Sequence, residues 1–375
     1  LRGHIRQVGD DRYQVLFDIS PDPVTGKRRQ RSRTVRGSRA RAEAVLAELI
    51  AEVEAEGWID DGSMTVGALA EMWLAARASR LEPTTLDGYR QKLAHVIRHI
   101  GHRKIKTVTG GVLSAMYGRL EDEGLSGQSA LHVHRVTHKM LADATRWGYL
   151  RANPAAAAEP PVSRTAERQT WTAAQSQRLL AAVAGHRWRS AWWLALAGGL
   201  RRAEVCGLTW DHVDLEEGTI LIRKTLVVVE GRDQWSTPKT PRSRRIVAID
   251  APLVPALREE RLRQLELRMA DPASWSRSEG TVICWEDGRR VHPDRLTKAH
   301  KREVVRIGLE PYIAFHDLRH THATLALAAG TPANVVKERL GHASVQLTLD
   351  RYTHRVDELH REAAAAVGRM LTSSF

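Results

Sequence analysis

The feature that most constrains this chain is a break. From Asn153-Pro154 to Pro161 the sequence is rich in alanine and proline and has no amphipathic period, and the patterns on its two sides differ in kind. Upstream, four helical patterns follow one another between Thr65 and about Asn153. The first carries Val66, Leu69, Met72 and Trp73, and the second Leu86, Tyr89, Leu93, Val96, Ile97 and Ile100. The third carries Val112, Leu113, Met116, Tyr117 and Leu120, and the fourth Val133, Val136, Met140, Leu141, Ala144 and Trp147. Downstream, helical and strand patterns mix. A chain of 375 residues is too long for one ordinary core. The break therefore reads as a linker at about 152–168, suited to two domains closing around something.

A second linker, Trp58 to Ser63, sets off the amino-terminal segment. Tyr13, Val15, Phe17 and Ile19 have strand alternation, Pro21-Asp22-Pro23 and Thr25-Gly26 signal a turn, and a second strand should follow. Between Lys27 and Arg41 there are eight basic residues, Lys27, Arg28, Arg29, Arg31 and Arg33 among them, and no acidic one. Alternation puts Arg29, Arg31 and Arg33 on one face. Ser38 then caps a helix carrying Val45, Leu46, Leu49, Ile50 and Val53, ended by Gly57. Such a module suits nucleic acid, although a solvated charge run explains the local sequence equally well.

Charge narrows the class of partner. The net charge is +13, which points to a polyanion. Nucleic acid fits better than a membrane, because no run of about 18 apolar residues occurs. On the helical segment, Arg90, Lys92, Lys104, Arg135 and Lys139 lie on polar faces, where phosphate contacts give affinity without reading sequence. Cys206 and Cys284 are the only cysteines and sit in apolar surroundings, which argues for a reducing compartment and against a disulfide framework or cysteine-based zinc site. The opening residues are polar and alternating, so no secretory leader is expected and the expected location is cytoplasmic, at the nucleoid.

Beyond the break, Thr172 is a good N-cap, and Trp192, Trp193, Leu194 and Leu196 mark an apolar helix that stops at Gly198-Gly199. A further helix carries Arg201 and Glu204. Strands are expected at 219–229, 244–249 and 282–285, and helices at 253–269 and 293–306. Lys239 tips a rigid Thr237-Pro238-Lys239-Thr240-Pro241 loop, with Lys224, Arg242, Arg244 and Arg245 crowded beside it. The 38 residues from Phe315 to Tyr352 gather His316, Asp317, Arg319, His320, His322, Arg339, His342, Arg351 and Tyr352 on segments that read mostly as helix. Guanidiniums can grip a phosphate, imidazoles can move protons and a phenol can attack. His316 and His320, at i,i+4, also have zinc-ligand spacing, but Arg319 in the intervening turn would repel a cation.

Taken in order, Gly199-Leu200-Arg201-Arg202-Ala203-Glu204, Lys239, His316-Asp317-Leu318-Arg319-His320, Leu340-Gly341-His342 and Tyr352-Thr353-His354 resemble the signatures of tyrosine recombinases of the phage-integrase type. The resemblance implies that Tyr352 is the nucleophile on a DNA phosphodiester, giving a 3′-phosphotyrosyl bond and a free 5′-hydroxyl. It implies that Arg201 and Arg319 clamp the non-bridging oxygens, Lys239 is the general acid, His316 assists proton transfer, His342 donates a hydrogen bond to the phosphate and Glu204 supports its neighbours. Neither metal nor cofactor is expected, since two guanidiniums can neutralise the phosphate and the covalent link conserves bond energy.

The expected fold is multidomain α+β. Residues 1–57 form a small sheet-plus-helix module for arm-type DNA, 64–153 an all-α core-binding (SAM-like) bundle, and 168–375 a mainly α catalytic domain with a small antiparallel sheet. The expected partners are double-stranded DNA, at core and arm-type sites, and further copies of the chain in a synaptic tetramer held through an amphipathic helix from Asp357 to Met370. An excisionase or a host DNA-bending factor is a further possible partner, and no membrane is expected. Two alternatives stand beside integration: DNA relaxation of the type IB topoisomerase kind, and a catalytically silent DNA-binding regulator.

Overall fold

Short polar strands open the chain. The computed structural model describes residues 3–19, 28–56, 64–163, 169–237, 244–250, 252–276 and 280–341. They fall into two units, Leu1–Ala166 and Glu167–Phe375. In the first, β1 (Gly3–Gly9), β2 (Arg12–Ile19) and β3 (Arg29–Arg36) make an antiparallel sheet in the order β1-β2-β3, on which α1 (Arg39–Glu56) packs. Val15, Phe17, Val35, Ala42 and Leu49 form the core between them. β1 was not expected, because Gly-His-Ile-Arg-Gln-Val-Gly has only a weak apolar alternation.

The register decides which way the arginines point. Phe17 pairs with Arg31 and Val15 with Arg33, and directly paired residues share a face. Arg31 and Arg33 therefore do lie on one face, the face on which α1 packs, with Arg31 half-buried and Arg33 exposed on the edge strand. The open face carries His4, Arg6, Gln14, Ser32 and Thr34, with Gln14 Nε2 donating to Ser32 Oγ at 3.2 Å.

The same unit holds α2 (Val66–Arg77), α3 (Pro83–Ile100), α4 (Gly110–Asp122) and α5 (Gly127–Arg146), matching the four helical patterns. Thr65, Thr109 and Ser126 cap α2, α4 and α5 through their side-chain oxygens. Trp73, Leu69, Leu93, Val96, Leu113, Met116, Val133 and Met140 fill the core, each large side chain contributing about 1.5–3 kcal/mol by leaving water. Inside it, Asp143 accepts from Trp73 Nε1 at 2.7 Å and pairs with Arg77 and Arg146. The alanine- and proline-rich stretch is not a free linker along its whole length. Pro154–Ala157 forms a 3-10 turn that packs on α4 and α5, with Ala155 buried. Gly110 permits this, since a Cβ there would lie 2.3 Å from the Ala157 carbonyl oxygen.

In the second unit, α6 (Ala173–Ala182) starts at a Thr172–Gln175 capping box and α7 (Arg189–Leu196) follows. Then come α8 (Arg202–Cys206), β4 (Val213–Asp214), β5 (Thr219–Ile222), β6 (Thr225–Val229), β7 (Arg232–Ser236) and β8 (Arg245–Ala248). The expected strand over 219–229 is two strands in two sheets: β5 lies between β4 and β8, whereas β6 pairs, among the described residues, with β7. The expected strand at 282–285 is absent. That stretch makes isolated bridges, Thr209 with Thr281 and Cys284 with Arg290, and its apolar side chains are buried as loop. The helices α9 (Leu253–Ala270), α10 (Pro293–Arg306), α11 (Asp317–Ala328) and α12 (Ala333–Leu340) complete the unit. Among the described residues no helix is long and apolar enough to cross a membrane. Cys206 and Cys284 are buried, and burial pushes both thiols up to about 12, which keeps them protonated and inert.

Candidate active site

Two glycines end α7 and turn the chain into the site. Gly199 has φ +66°, and a Cβ on it would meet His322 Cδ2 at 2.8 Å and Leu340 Cδ2 at 2.9 Å, so only glycine fits. Arg201 follows as the N-cap of α8, and Glu204 lies one turn on, 2% exposed. The Glu204 carboxylate accepts from the Arg201 backbone N–H at 2.8 Å and from Arg201 Nη1 at 2.8 Å. Arg245, at the start of β8, donates to the same carboxylate with Nη1 at 2.8 Å and Nη2 at 2.9 Å. Arg319, on the first turn of α11 and 2% exposed, stands with Nη1 3.7 Å from Glu204 Oε2.

A carboxylate so deep in protein would resist ionisation. Burial raises the Glu204 pKa, but the Arg245 hydrogen bonds and charge, with the charges of Arg201 and Arg319 behind them, outweigh it and hold the carboxyl at about 2. Three guanidiniums on one carboxylate leave the cluster net cationic, as an anion site must be.

The same arginines meet a second acceptor. A helix leaves its last carbonyls without intrahelical partners and carries partial negative charge at that end. At the end of α12, Arg245 Nε donates to Arg339 O at 2.6 Å, Arg319 Nη2 donates to Leu340 O, and Arg201 Nη2 donates to Gly341 O at 3.3 Å. Three consecutive carbonyls are thus capped by guanidiniums from three elements. Gly341, in the left-handed region at φ +62°, ends the helix there. Arg319 Nη1 also donates to Gly199 O at 2.7 Å, so both glycine turns are tied to one guanidinium.

His316 is the N-cap of α11, and its ring lies edge-on to His320, centroids 5.4 Å apart. His322 donates from Nδ1 to Leu196 O at 2.7 Å and accepts from Arg339 Nε at 3.1 Å on Nε2. With burial and then the Arg339 charge pushing it down to about 4, this ring is a neutral structural bridge with both nitrogens used. Arg339 also donates to Ala248 O at 2.8 Å and Ala197 O at 3.0 Å, so this arginine of the 315–352 stretch is a packing clamp. Among the described residues no three His, Cys, Asp or Glu side chains gather as a metal site.

Of the residues singled out from sequence, Arg201, Glu204 and Arg319 come together. Arg245, one neighbour of the Lys239 loop, joins them as the partner of Glu204; no local pattern reveals such a pairing across 41 residues. Lys224 instead stands over the Trp235 ring, 5.7 Å from its centroid. Lys239, Arg242, His342, Tyr352 and Lys27 lie outside the described residues, as do the Arg29 side chain and the segment from Asp357 to Met370. Arg28 pairs with Asp18 at 2.8 Å. In the bundle Arg90, Lys104, Arg135 and Lys139 are exposed, Lys92 is half-buried, and Lys139 Nζ donates to Tyr89 OH at 3.0 Å.

The model of the family described as "Phage integrase family" matches residues 169–358, just over half of the chain, a span that contains every candidate catalytic residue from Arg201 to Tyr352. The chain belongs to the phage integrase family. Membership makes it a site-specific DNA recombinase of the tyrosine type. Among its relatives, the tyrosine recombinase XerC-like protein of Caldanaerobacter subterraneus subsp. tengcongensis is 28% identical over 317 residues, covering 79% of this chain and 81% of that one. The ICEBs1 integrase of Bacillus subtilis is 25% identical over 375 residues, 98% of this integrase and 100% of its relative. The fold of the Tn1549 transposon integrase, solved with a circular intermediate DNA, matches with a TM-score of 0.68 at 20% identity over 80% of this chain and 99% of that one. A lambda integrase tetramer bound to a Holliday junction matches with a TM-score of 0.61 at 17% identity, over 92% and 94% of the two chains.

Proposed function

We propose that the arginines gathered on Glu204 form the phosphate clamp of a DNA strand-transfer site. Arg201 and Arg319 grip the two non-bridging oxygens, and Tyr352 Oη attacks phosphorus. The phosphorus–5′-oxygen bond breaks, Lys239 protonates the departing oxygen, and His316 takes the phenol proton; the product is a 3′-phosphotyrosyl link and a 5′-hydroxyl. Attack by a 5′-hydroxyl of the partner strand reverses these steps and releases Tyr352. His342 donates a hydrogen bond to the phosphate during both steps, and Glu204 holds the clamp without touching DNA. The observation that carries this reading is that Arg201 and Arg319, distant in sequence, meet on one buried carboxylate. Preorganised positive charge of that kind is worth most where charge develops in a transition state.

The partner is double-stranded DNA. The catalytic domain, 168–375, and the helical bundle, 64–153, take the core site, with Arg90, Lys92, Lys104, Arg135 and Lys139 of the bundle on the phosphates. The sheet module, 1–57, takes arm-type DNA through Lys27, Arg28, Arg29, Arg31, Arg33 and the polar open face that includes Arg6 and Gln14. Four copies assemble on two duplexes through the Asp357 to Met370 helix, with an excisionase or a DNA-bending host factor setting direction, in the cytoplasm at the nucleoid. The lambda integrase tetramer bound to a Holliday junction supports the assembly.

The test is a nicked suicide substrate built from the ends of the element that carries the gene. The unsubstituted chain should leave a covalent DNA–protein band and Tyr352→Phe none. Relaxation of supercoils with no exchange between two sites would favour a topoisomerase-like role, and absence of any band a silent regulator.

A further inference from the structure

We infer that Arg245 is a positioning residue of the phosphate clamp, acting on Arg201 through Glu204, and not the donor of the leaving-group proton. The inference rests on the strand-transfer reading and assigns a role to a side chain outside its chemistry. Arg245 turns both Nη to the two oxygens of Glu204 and Nε to Arg339 O, so the fork that could grip a phosphate is spent on the carboxylate. Guanidiniums as a class do not release a proton in proteins, which makes them poor general acids.

The geometry shows how it acts. Each oxygen of Glu204 takes one hydrogen from Arg245 and one from Arg201: Oε1 receives Arg245 Nη1 and Arg201 Nη1, and Oε2 receives Arg245 Nη2 and the Arg201 backbone N–H. The fork of Arg245 fixes the plane of the carboxylate, and that plane fixes the Arg201 guanidinium. Its Nε hydrogen bond to Arg339 O joins β8, the strand that follows the Lys239 segment, to the end of α12 that precedes His342. One side chain therefore holds in register the segments that flank three catalytic positions. Without it the carboxylate loses two charge-assisted bonds and keeps only those from Arg201 itself, so apart from the 3.3 Å bond of Arg201 Nη2 to Gly341 O nothing outside the Arg201–Glu204 pair sets the direction of the Arg201 guanidinium.

Single-turnover cleavage, with protein in saturating excess, tests this on three versions of the suicide substrate. One has the ordinary phosphodiester at the scissile position, one a methylphosphonate that removes the negative charge, and one a 5′-bridging sulfur whose thiolate leaves without a proton. Arg245→Ala should slow cleavage of the ordinary substrate by about a hundredfold, the scale for losing one oriented donor, while DNA affinity is unchanged. The deficit should shrink on the methylphosphonate, which needs less clamping, and persist on the bridging-sulfur substrate. Arg245→Lys, which keeps the charge but not the fork, should fall between the two; it is also the variant to read if the alanine form does not fold. Rescue by bridging sulfur would overturn the inference by making Arg245 the proton donor. Equal losses on all three substrates, or no loss, would overturn it too, the first by reducing Arg245 to bulk stability. Failure of the unsubstituted chain to form any adduct would strike the strand-transfer reading beneath it, a result distinct from all of these.

Discussion

Glu204 is ionised in the protein interior at neutral pH only because guanidiniums surround it. Its carboxyl is held at about 2 against an ordinary value of 4.5. A depressed pKa contributes stability that is present above the unfolded value and lost as pH falls toward the folded one, an effect on the order of 3 kcal/mol for a shift of this size. Glu204→Gln should therefore lower the urea midpoint of the second unit at neutral pH by a comparable free energy. The gap between the two proteins should hold down to about pH 4.5 and close toward pH 2. A gap that widened in acid would place the carboxylate's stabilising partners elsewhere. Arg201 and Glu204 were legible in the sequence because one helical turn brings them together, and Arg319 because it sits beside His316 in a compact signature. Arg245 was legible only as one of several cations near Lys239. Its contact with Glu204 arises from the placing of β8 beside α12, which no local spacing encodes.

The long helices α2–α5 were the most legible elements, since their apolar period extends over three or more turns, and the Thr172 cap of α6 is a side chain with a mechanism. Strands were harder. The split between β5 and β6 falls at Arg223-Lys224, which carries no glycine or proline to announce a turn, and β1 is too polar to stand out. The arginines of β3 share a face as alternation requires, yet which face is buried depends on where α1 lands. The stretch at Pro154–Ala157 was read as linker from composition alone, although alanines pack wherever a glycine lets the backbones approach. Gly110→Ala should push that turn off the bundle, at a cost of about 1–3 kcal/mol for overpacking. Hydrogen exchange checks this: the Ala158 amide, which donates to Ala155 O, should lose protection in the variant and keep it in the parent. Unchanged protection would mean that the 3-10 turn does not depend on the contact with Gly110.

At the scale of the whole molecule, the proposed reading assigns exposed cations to DNA binding and the buried arginines to the strand-transfer site, and the two should separate. Arg135→Ala with Lys139→Ala removes two exposed cations of α5 and should reduce the salt slope of DNA binding by about 2 if each meets a phosphate. Cleavage at saturating protein should not change. An unaltered slope would move the DNA-facing surface of the bundle elsewhere. The ordered signatures announced the family from sequence, but the convergence of Arg201, Arg245 and Arg319 on one carboxylate and one helix end emerged only with the fold. The most direct test of that convergence as half of a strand-transfer site is to trap the adduct on a suicide substrate, digest it and map the DNA-bearing peptide by mass spectrometry. The adduct should lie on Tyr352, with its yield cut by a hundredfold or so in Arg201→Ala and in Arg319→Ala. DNA attached to any other residue, or undiminished attachment when both arginines are gone, would contradict it.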